Sequence, residues 1–236
     1  MEDYLRFLKN FRTKRFSKGE LILIQGEVPE CAYVVKDGIV KTYNLTLAGE
    51  EKPIGFGLEA EIFPIAWVYG QVNHVQFYYE AFADTVLYCV PARLLREFFE
   101  THPEAQVLLI EHLVAWQMHT QLRMNALEQS KASQKILNMI HFLCLRFGAE
   151  ERKDLVRVRL PLTQQDLANF IGLTRETTGI ELKKLHHKGV LSYKKQNYIV
   201  RTDRLNALLD EDYGLGIVFE KAAAQMSQPS EGFTKV

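Results

Sequence analysis

The sequence predicts an α+β chain in three parts: an antiparallel β-roll, one long helix, and a small helical domain closed by a β-hairpin. Three observations carry that expectation. Short apolar runs punctuated by glycine fill residues 16–90, Glu104–Ser130 contains neither Gly nor Pro, and two short helical patterns meet at Gly172 ahead of a lysine-tipped hairpin. At 236 residues the chain can hold one or two domains, each with its own core.

From the N-terminus, Tyr4, Leu5, Leu8 and Phe11 stand at helical spacing and predict a short amphipathic helix over Asp3–Phe11. Leu21–Ile24, Ala32–Val35, Ile39–Tyr43 and Thr85–Val90 read as strands, separated by Gly26, Lys36-Asp37-Gly38 and Ala48-Gly49-Glu50. Turn signals that recur this often suggest an antiparallel roll or barrel. Asp37-Gly38 marks a tight turn, because Gly accepts positive φ without a Cβ clash.

Ala92–Phe99 predicts one short helix, and Pro103 is tolerated in the first turn of the next. The Glu104–Ser130 helix would run roughly 40 Å. Leu108, Ala115, Met118, Leu122 and Ala126, with Leu109, Leu113, Trp116 and Leu127 alongside, make an apolar surface wider than one face. Such a width suits contact both with its own domain and with a second copy of the chain, so the first five residues are expected at a homodimer interface. A further helix over Ala132–Phe147, with Ile136, Ile140 and Leu143 on one side, stops at Gly148. After a charged loop, Val156, Val158 and Leu160 alternate with Arg157 and Arg159 as a strand ending at Pro161. The expected domains are therefore 1–103, 104–130 and 131–212. They are followed by an extension, 213–236, of no assigned role, in which Ile217–Met226 can form a short helix. The joint near Glu128–Ala132 is the expected hinge.

The chain carries 29 Lys+Arg against 29 Asp+Glu, a neutral total that does not by itself suggest a nucleic-acid partner. That zero is a cancellation. Residues 131–205 hold 15 Lys+Arg and 7 Asp+Glu, a surplus of eight positive charges, and the remainder holds 14 and 22. Cys31, Cys89 and Cys144 are too few for a disulfide scaffold or a four-thiolate cluster, and read as small buried hydrophobes. Met1-Glu2-Asp3-Tyr4 lacks the basic start of a signal peptide, and the longest uncharged stretch, Ile62–Tyr79, is broken by polar residues, Pro64 and Gly70. A cytoplasmic protein with no membrane contact is expected.

Leu162–Leu185 reads LTQQDLANFIGLTRETTGIELKKL. Thr163 can cap a helix whose inner side holds Leu167, Ala168 and Ile171, Gly172 breaks it, and Thr174 can cap a second. Two short helices around a glycine-containing turn have helix-turn-helix spacing. Val190–Tyr193 and Tyr198–Val200 then flank Lys194-Lys195-Gln196-Asn197 as a basic-tipped hairpin, the wing of a winged helix. Such a unit binds double-stranded DNA by laying the second helix's N-terminus in the major groove. Arg175 suits guanine O6/N7 and Glu176 suits cytosine N4. Thr163, Gln164, Gln165, Thr174, Thr177, Lys183, Lys194 and Lys195 suit the remaining DNA contacts, mainly to phosphates.

With those residues, the chain resembles the CRP/FNR family of bacterial transcription regulators to about Leu209. Thr174-Arg175-Glu176-Thr177 is similar to the start of that family's recognition helix. Phe16-Ser17-Lys18-Gly19-Glu20, Gly26-Glu27 and Asp37-Gly38 look like the glycine-marked strands of its cyclic-nucleotide-binding-like roll. The resemblance implies a homodimer, a pseudo-palindromic site, RNA polymerase as a further partner, and control by a small effector. The chain departs from the family's recognition-helix pattern at Ile180, where many relatives carry arginine and where a thymine methyl is a suitable partner. It departs again at Glu181, a position usually apolar, where a carboxylate would reduce attraction to phosphate.

In cyclic-nucleotide-binding relatives a Gly-Glu pair holds the ribose and an Arg-Ser or Arg-Thr step holds the cyclic phosphate. Here those stretches read Phe63-Pro64-Ile65-Ala66-Trp67 and Val75-Gln76-Phe77, and no Lys or Arg lies between Lys52 and Arg93. A buried phosphate needs such a cation, so cyclic AMP is not the expected effector. Nine aromatic residues occupy that interval instead. Phe63, Trp67, Phe77 and Tyr79, with Thr120 on the long helix, are the candidate lining for an apolar or aromatic effector. The rings can equally fill the roll and leave it without a ligand. His74 offers one imidazole for haem, too few for a cupin-like oxygenase centre. No cofactor, metal or enzymatic activity is expected.

Overall fold

The computed structural model describes residues 2–213, and the chain divides into two compact units, Met1–His112 and Leu113–Val236. All but the first residue of the expected extension 213–236, including Ile217–Met226, lies outside the described residues. The division falls inside the long helix rather than at either end of it.

The first unit opens with α1 (Glu2–Leu8) and continues through β1 (Thr13–Phe16), β2 (Leu21–Leu23), β3 (Ala32–Asp37), β4 (Val40–Leu45), β5 (Glu51–Gly57), β6 (Ile62–Phe63), α2 (Ile65–Val68), β7 (Tyr78–Ala81), β8 (Thr85–Val90), α3 (Ala92–Thr101) and the start of α4 (Pro103–Glu128). Its strands form two four-stranded antiparallel sheets, in the orders β1-β8-β3-β6 and β2-β7-β4-β5. One core lies inside the roll, where Leu23, Tyr33, Val35, Val40, Phe63, Val75, Tyr79 and Leu87 pack. A second joins the first sheet to the helices through Tyr4, Leu8, Ala32, Val34, Tyr88, Val90, Leu95, Phe98 and Phe99. Successive strand residues face opposite sides, so β3 sends Tyr33 and Val35 into the roll and Ala32 and Val34 toward the helices. That double burial is why Ala32–Val35 is apolar without alternation.

Gly38 is a turn, as expected, but it does not close a hairpin. β3 pairs with β8 and β6, whereas β4 pairs with β5 and β7, so the turn carries the chain from one sheet to the other. Gly38 has φ +95°, and a Cβ there would lie 2.5 Å from both Asp84 O and Thr85 Oγ1. The buried Thr85 hydroxyl donates to Ala83 O and accepts from the Ile39 amide across the same turn.

The cysteines require a correction. Cys31 and Cys89 are buried, as expected, but a disulfide joins them, spanning 58 residues. Tyr33 pairs with Cys89 across β3 and β8, which brings the preceding segment of Cys31 alongside. The antiparallel register, invisible in linear spacing, is what creates the pair. Cys144 is free among the described residues, and burial pushes its thiol up to about 12.

The second unit contains the rest of α4, then α5 (Ala132–Phe147), β9 (Gly148–Arg152), β10 (Leu155–Val158), α6 (Gln164–Ile171), α7 (Arg175–His187), β11 (Leu191–Lys194), β12 (Asn197–Arg201) and α8 (Thr202–Tyr213). Its sheet is ordered β11-β12-β10-β9. Ile136, Ile140 and Leu143 are all buried, with Leu160, Leu167, Ala168, Leu182 and Val200. The segment expected as a charged loop is β9, an edge strand whose Glu150, Glu151 and Arg152 face solvent. Charged residues are common on exposed edges because they discourage pairing with another chain. Along α4, Ala126 is fully buried within its own unit and so cannot supply an interface with another copy; Leu108, Ala115, Met118 and Leu122 are partly buried. Val107, Ile110, Val114, Trp116 and Met124 are the exposed large hydrophobics of that helix.

Gly38→Ala should destabilise the roll by about 3 kcal/mol through combined strain and overlap, measured as a lower denaturant midpoint of its unfolding transition. Thiol titration of the denatured, unreduced chain should count one of the three cysteines, and prior reduction should expose all three. Equal counts with and without reductant would remove the disulfide from the structure.

Candidate nucleic-acid interface

The geometry of α6 and α7 follows from three residues that end one helix and start the next. Gly172 takes a left-handed conformation, φ 67° and ψ 39°, and its amide donates to Ala168 O, as does the Leu173 amide at 3.0 Å. Thr174 then caps α7: its Oγ1 accepts from the Thr177 amide at 3.1 Å and donates to Thr177 Oγ1 at 2.9 Å. At the other end of α6, Thr163 and Asp166 form a reciprocal cap, with the Asp166 amide donating to Thr163 Oγ1 and the Thr163 amide donating to Asp166 Oδ2. Thr163 therefore serves the helix end, while Gln164 and Gln165 stand in its first turn. Gln165 Nε2 donates to Asn169 Oδ1.

The turn fixes which side of α7 faces out. Thr178, Glu181, Leu182 and Leu185 are buried, whereas Arg175, Glu176, Ile180 and Lys183 are exposed. At 3.6 residues per turn, Glu176, Ile180, Lys183 and His187 fall within about 60° of one another, opposite the buried set. His187 is exposed and belongs to this face, although its place in the last turn hid it from a reading centred on the helix start. The expectation for Glu181 is overturned: its side chain is turned inward and pairs with Lys184 Nζ at 2.7 Å. It does not belong to the outward face, and the lysine three residues on accommodates the charge. Thr178 is also buried, with no hydrogen-bond partner for its hydroxyl among the described residues.

Beyond α7, Lys194 pairs with Asn197 across β11 and β12, leaving Lys195 and Gln196 as a two-residue turn with Lys195 at φ 55°. Lys194 and Lys195 are exposed at that tip. The hairpin is held to α7 by His186 Nδ1, which donates to Leu191 O at 3.0 Å, and Arg204 of α8 donates to Lys188 O and Gly189 O just after α7. Sequence reasoning did not single out Arg123. Its Nη2 donates to Phe170 O at 3.2 Å, and its guanidinium stacks 4.1 Å from the Phe170 ring, so α4 grips the C-terminal end of α6. Burial lowers its pKa to about 10, and it remains a cation at neutral pH. Arg175, Lys183, Lys194 and Lys195 make no ion pair among the described residues.

The roll residues proposed for an effector divide between two cores. Phe63 stacks on Tyr79 at 5.0 Å and on Tyr33 at 5.6 Å inside the roll, with Phe77 packed against the same core. Trp67 packs in the other core, beside the helices. Thr120 belongs to the second unit and donates its hydroxyl to Trp116 O at 2.9 Å. His74 is exposed rather than among the rings. Val75, at the expected phosphate-holding step, is completely buried, and Gln76 is exposed. The lysine on β4, Lys41, follows inward-facing Val40 and so lies on the roll's outer face, held by Glu51 Oε2 at 2.6 Å and Glu80 Oε1 at 3.0 Å. Burial would lower its pKa, but the two carboxylates outweigh burial and raise it.

Comparison with known proteins agrees with both units. The cyclic nucleotide-binding domain family matches residues 13–102, and the Crp-like helix-turn-helix domain family matches residues 138–208. Electron transport regulator A of Shewanella oneidensis is 26% identical over 192 residues, covering 81% of this chain and 75% of its own length. The structure of FixK2 from Bradyrhizobium japonicum has a TM-score of 0.68 at 22% identity, over 84% of this chain and 96% of that one. TTHA1359, a CRP/FNR-family transcriptional regulator from Thermus thermophilus, has a TM-score of 0.63 at 20% identity, over 84% and 98%. With a roll matched to the one domain and a capped, outward-facing α7 matched to the other, the chain belongs to the CRP/FNR family of DNA-binding transcription regulators.

Proposed function

We propose that this regulator works as a homodimer that reads a pseudo-palindromic DNA site, with α7 of each subunit in a major groove. The carrying observation is the capped N-terminus of α7, which leaves Arg175 and Glu176 exposed and free to meet base edges. Thr177 retains its own hydroxyl proton for a phosphate oxygen, and Lys183, Lys194 and Lys195 supply charge to the backbone. The exposed residues Val107, Ile110 and Val114, spaced three and four apart on one side of α4, support pairing of two chains, because an apolar helix face of this kind favours burial. Two recognition helices would then sit roughly 34 Å apart, one DNA turn. RNA polymerase is the proposed further partner and the cytoplasm the proposed place of action; no helix among the described residues is long and apolar enough to cross a membrane.

Control by a small effector other than cyclic AMP is part of this reading. It is supported by a roll whose strand lysine is engaged on the outer face and whose phosphate-holding step is Val75-Gln76. A second reading, a roll that binds nothing and a regulator that binds DNA constitutively, is favoured by the Tyr33–Phe63–Tyr79 stack, which fills that core with the chain's own rings.

Selection of bound fragments from a random DNA pool by the purified chain should enrich a two-fold symmetric site. On that site Arg175→Ala should weaken binding by about 1–3 kcal/mol and relax preference at one position in each half. Lys194→Ala should instead weaken all sequences alike and reduce the salt slope by about one for each subunit. Uniform loss in the Arg175 variant would move that residue from base reading to backbone contact. Val114→Glu should convert a dimer to a monomer in sedimentation velocity, and a dimer that persists would place the interface elsewhere.

A further inference from the structure

The outward face of α7 carries an apolar residue where solvent alone would favour a polar one. Ile180 is 55% exposed, and in the second unit, beyond α4, it is the one exposed large hydrophobic among the described residues. It shares the outward face with Glu176 and Lys183, one turn from each along the helix, and its neighbour Glu181 is turned into the domain. After α4, the described part of the second unit thus keeps every other large apolar side chain at least partly buried, and exposes this one at the point that faces a DNA groove in the reading above.

We propose that Ile180 reads the C5-methyl group of a thymine in each half-site. Among the four bases, thymine alone presents an apolar group on the major-groove edge; guanine, adenine and cytosine present donors and acceptors that an aliphatic side chain cannot satisfy. Ile180 follows Arg175 by five residues, or about 7.5 Å along the helix at 1.5 Å per residue. The two residues also point about 140° apart around α7, so Ile180 meets a different base pair of the half-site from Arg175. Glu176 and Lys183 flank the contact and exclude a second apolar patch, so the preference is confined to one position per half-site. Burying one methyl group from water corresponds to about a fourfold gain in affinity, or about fifteenfold when both half-sites carry it.

This inference rests on the DNA-binding reading, and the test separates the two. The full chain is titrated against its selected site after each thymine is replaced, symmetrically in both halves, by deoxyuridine, which differs only by the missing methyl. One replacement, at a position other than the one relaxed in Arg175→Ala, should weaken binding about fifteenfold. Ile180→Ala should weaken binding to the thymine site by a similar factor and lose all response to that replacement, while Ile180→Val keeps it. Unchanged thermal unfolding of both variants would exclude a folding defect at this exposed position. Binding that is indifferent to every deoxyuridine, or an Ile180→Ala variant with undiminished sensitivity, overturns the methyl contact and leaves DNA binding standing. A selection that enriches no site overturns both.

Discussion

The DNA-facing half of this protein depends on the turn at Gly172–Thr174. One left-handed residue ends α6, two amides converge on Ala168 O, and a threonine hydroxyl opens α7 two residues later. Ala168, whose carbonyl takes both amides, has a fully buried side chain. The caps at Thr163 and Thr174 satisfy amides that would otherwise need water at the helix starts. Arg123 and Arg204 then bind the carbonyls that these tight segments leave exposed, one at the end of α6 and one after α7. Rigid presentation of a few side chains is what base reading requires, and it comes here from backbone geometry.

The roll is organised by a different constraint, the covering of β3 and β8 on both faces. Their inner residues meet the aromatic stack and their outer residues meet α1 and α3. The Cys31–Cys89 bond ties these two central strands within the closed core, with the sulfur-bearing residues 3% and 5% exposed. A reductant can reach such a bond only when the roll opens. The ionic group Lys41–Glu51–Glu80 lies on the other sheet, against Tyr43, and links three of its strands on the outer surface. The inner surface is left to apolar and aromatic side chains, an environment that disfavours an unpaired phosphate.

The sequence made the strongly periodic and well-punctuated elements legible. α5 and β8 were read with their observed ends, and Thr163, Gly172 and Thr174 marked the helix ends correctly. What escaped was non-local. β5 contains Pro53, Gly55 and Gly57, which argue against a strand, yet it lies at a sheet edge where a missing amide donor is tolerated. β6 is two residues long, and β1 and β7 lack a clear apolar signal because one face meets solvent. Gly38 announced a turn, but which sheet each flanking strand joins depends on pairing with residues far along the chain. The same holds for Cys31 with Cys89, and for Phe63 with Tyr79. In the candidate interface, residue types and order were legible, whereas the burial of Glu181 was not: a carboxylate is expected outside unless its lysine partner is seen. Ala126 was misjudged for the converse reason, since an alanine on a wide apolar surface suits the packing of either chain.

The inward and outward sides of α7 share no residue. Thr178, Glu181, Leu182 and Leu185 hold the helix in place, while Glu176, Ile180, Lys183 and His187 lie on the exposed side, away from that buried set. Substitutions confined to the exposed side change stability little. On the proposed reading of DNA by that exposed side, lineages of this regulator are free to drift from one operator to another by changing exposed residues alone. Network rewiring meets little resistance from the fold, and two copies that share the buried side can come to govern different sets of genes.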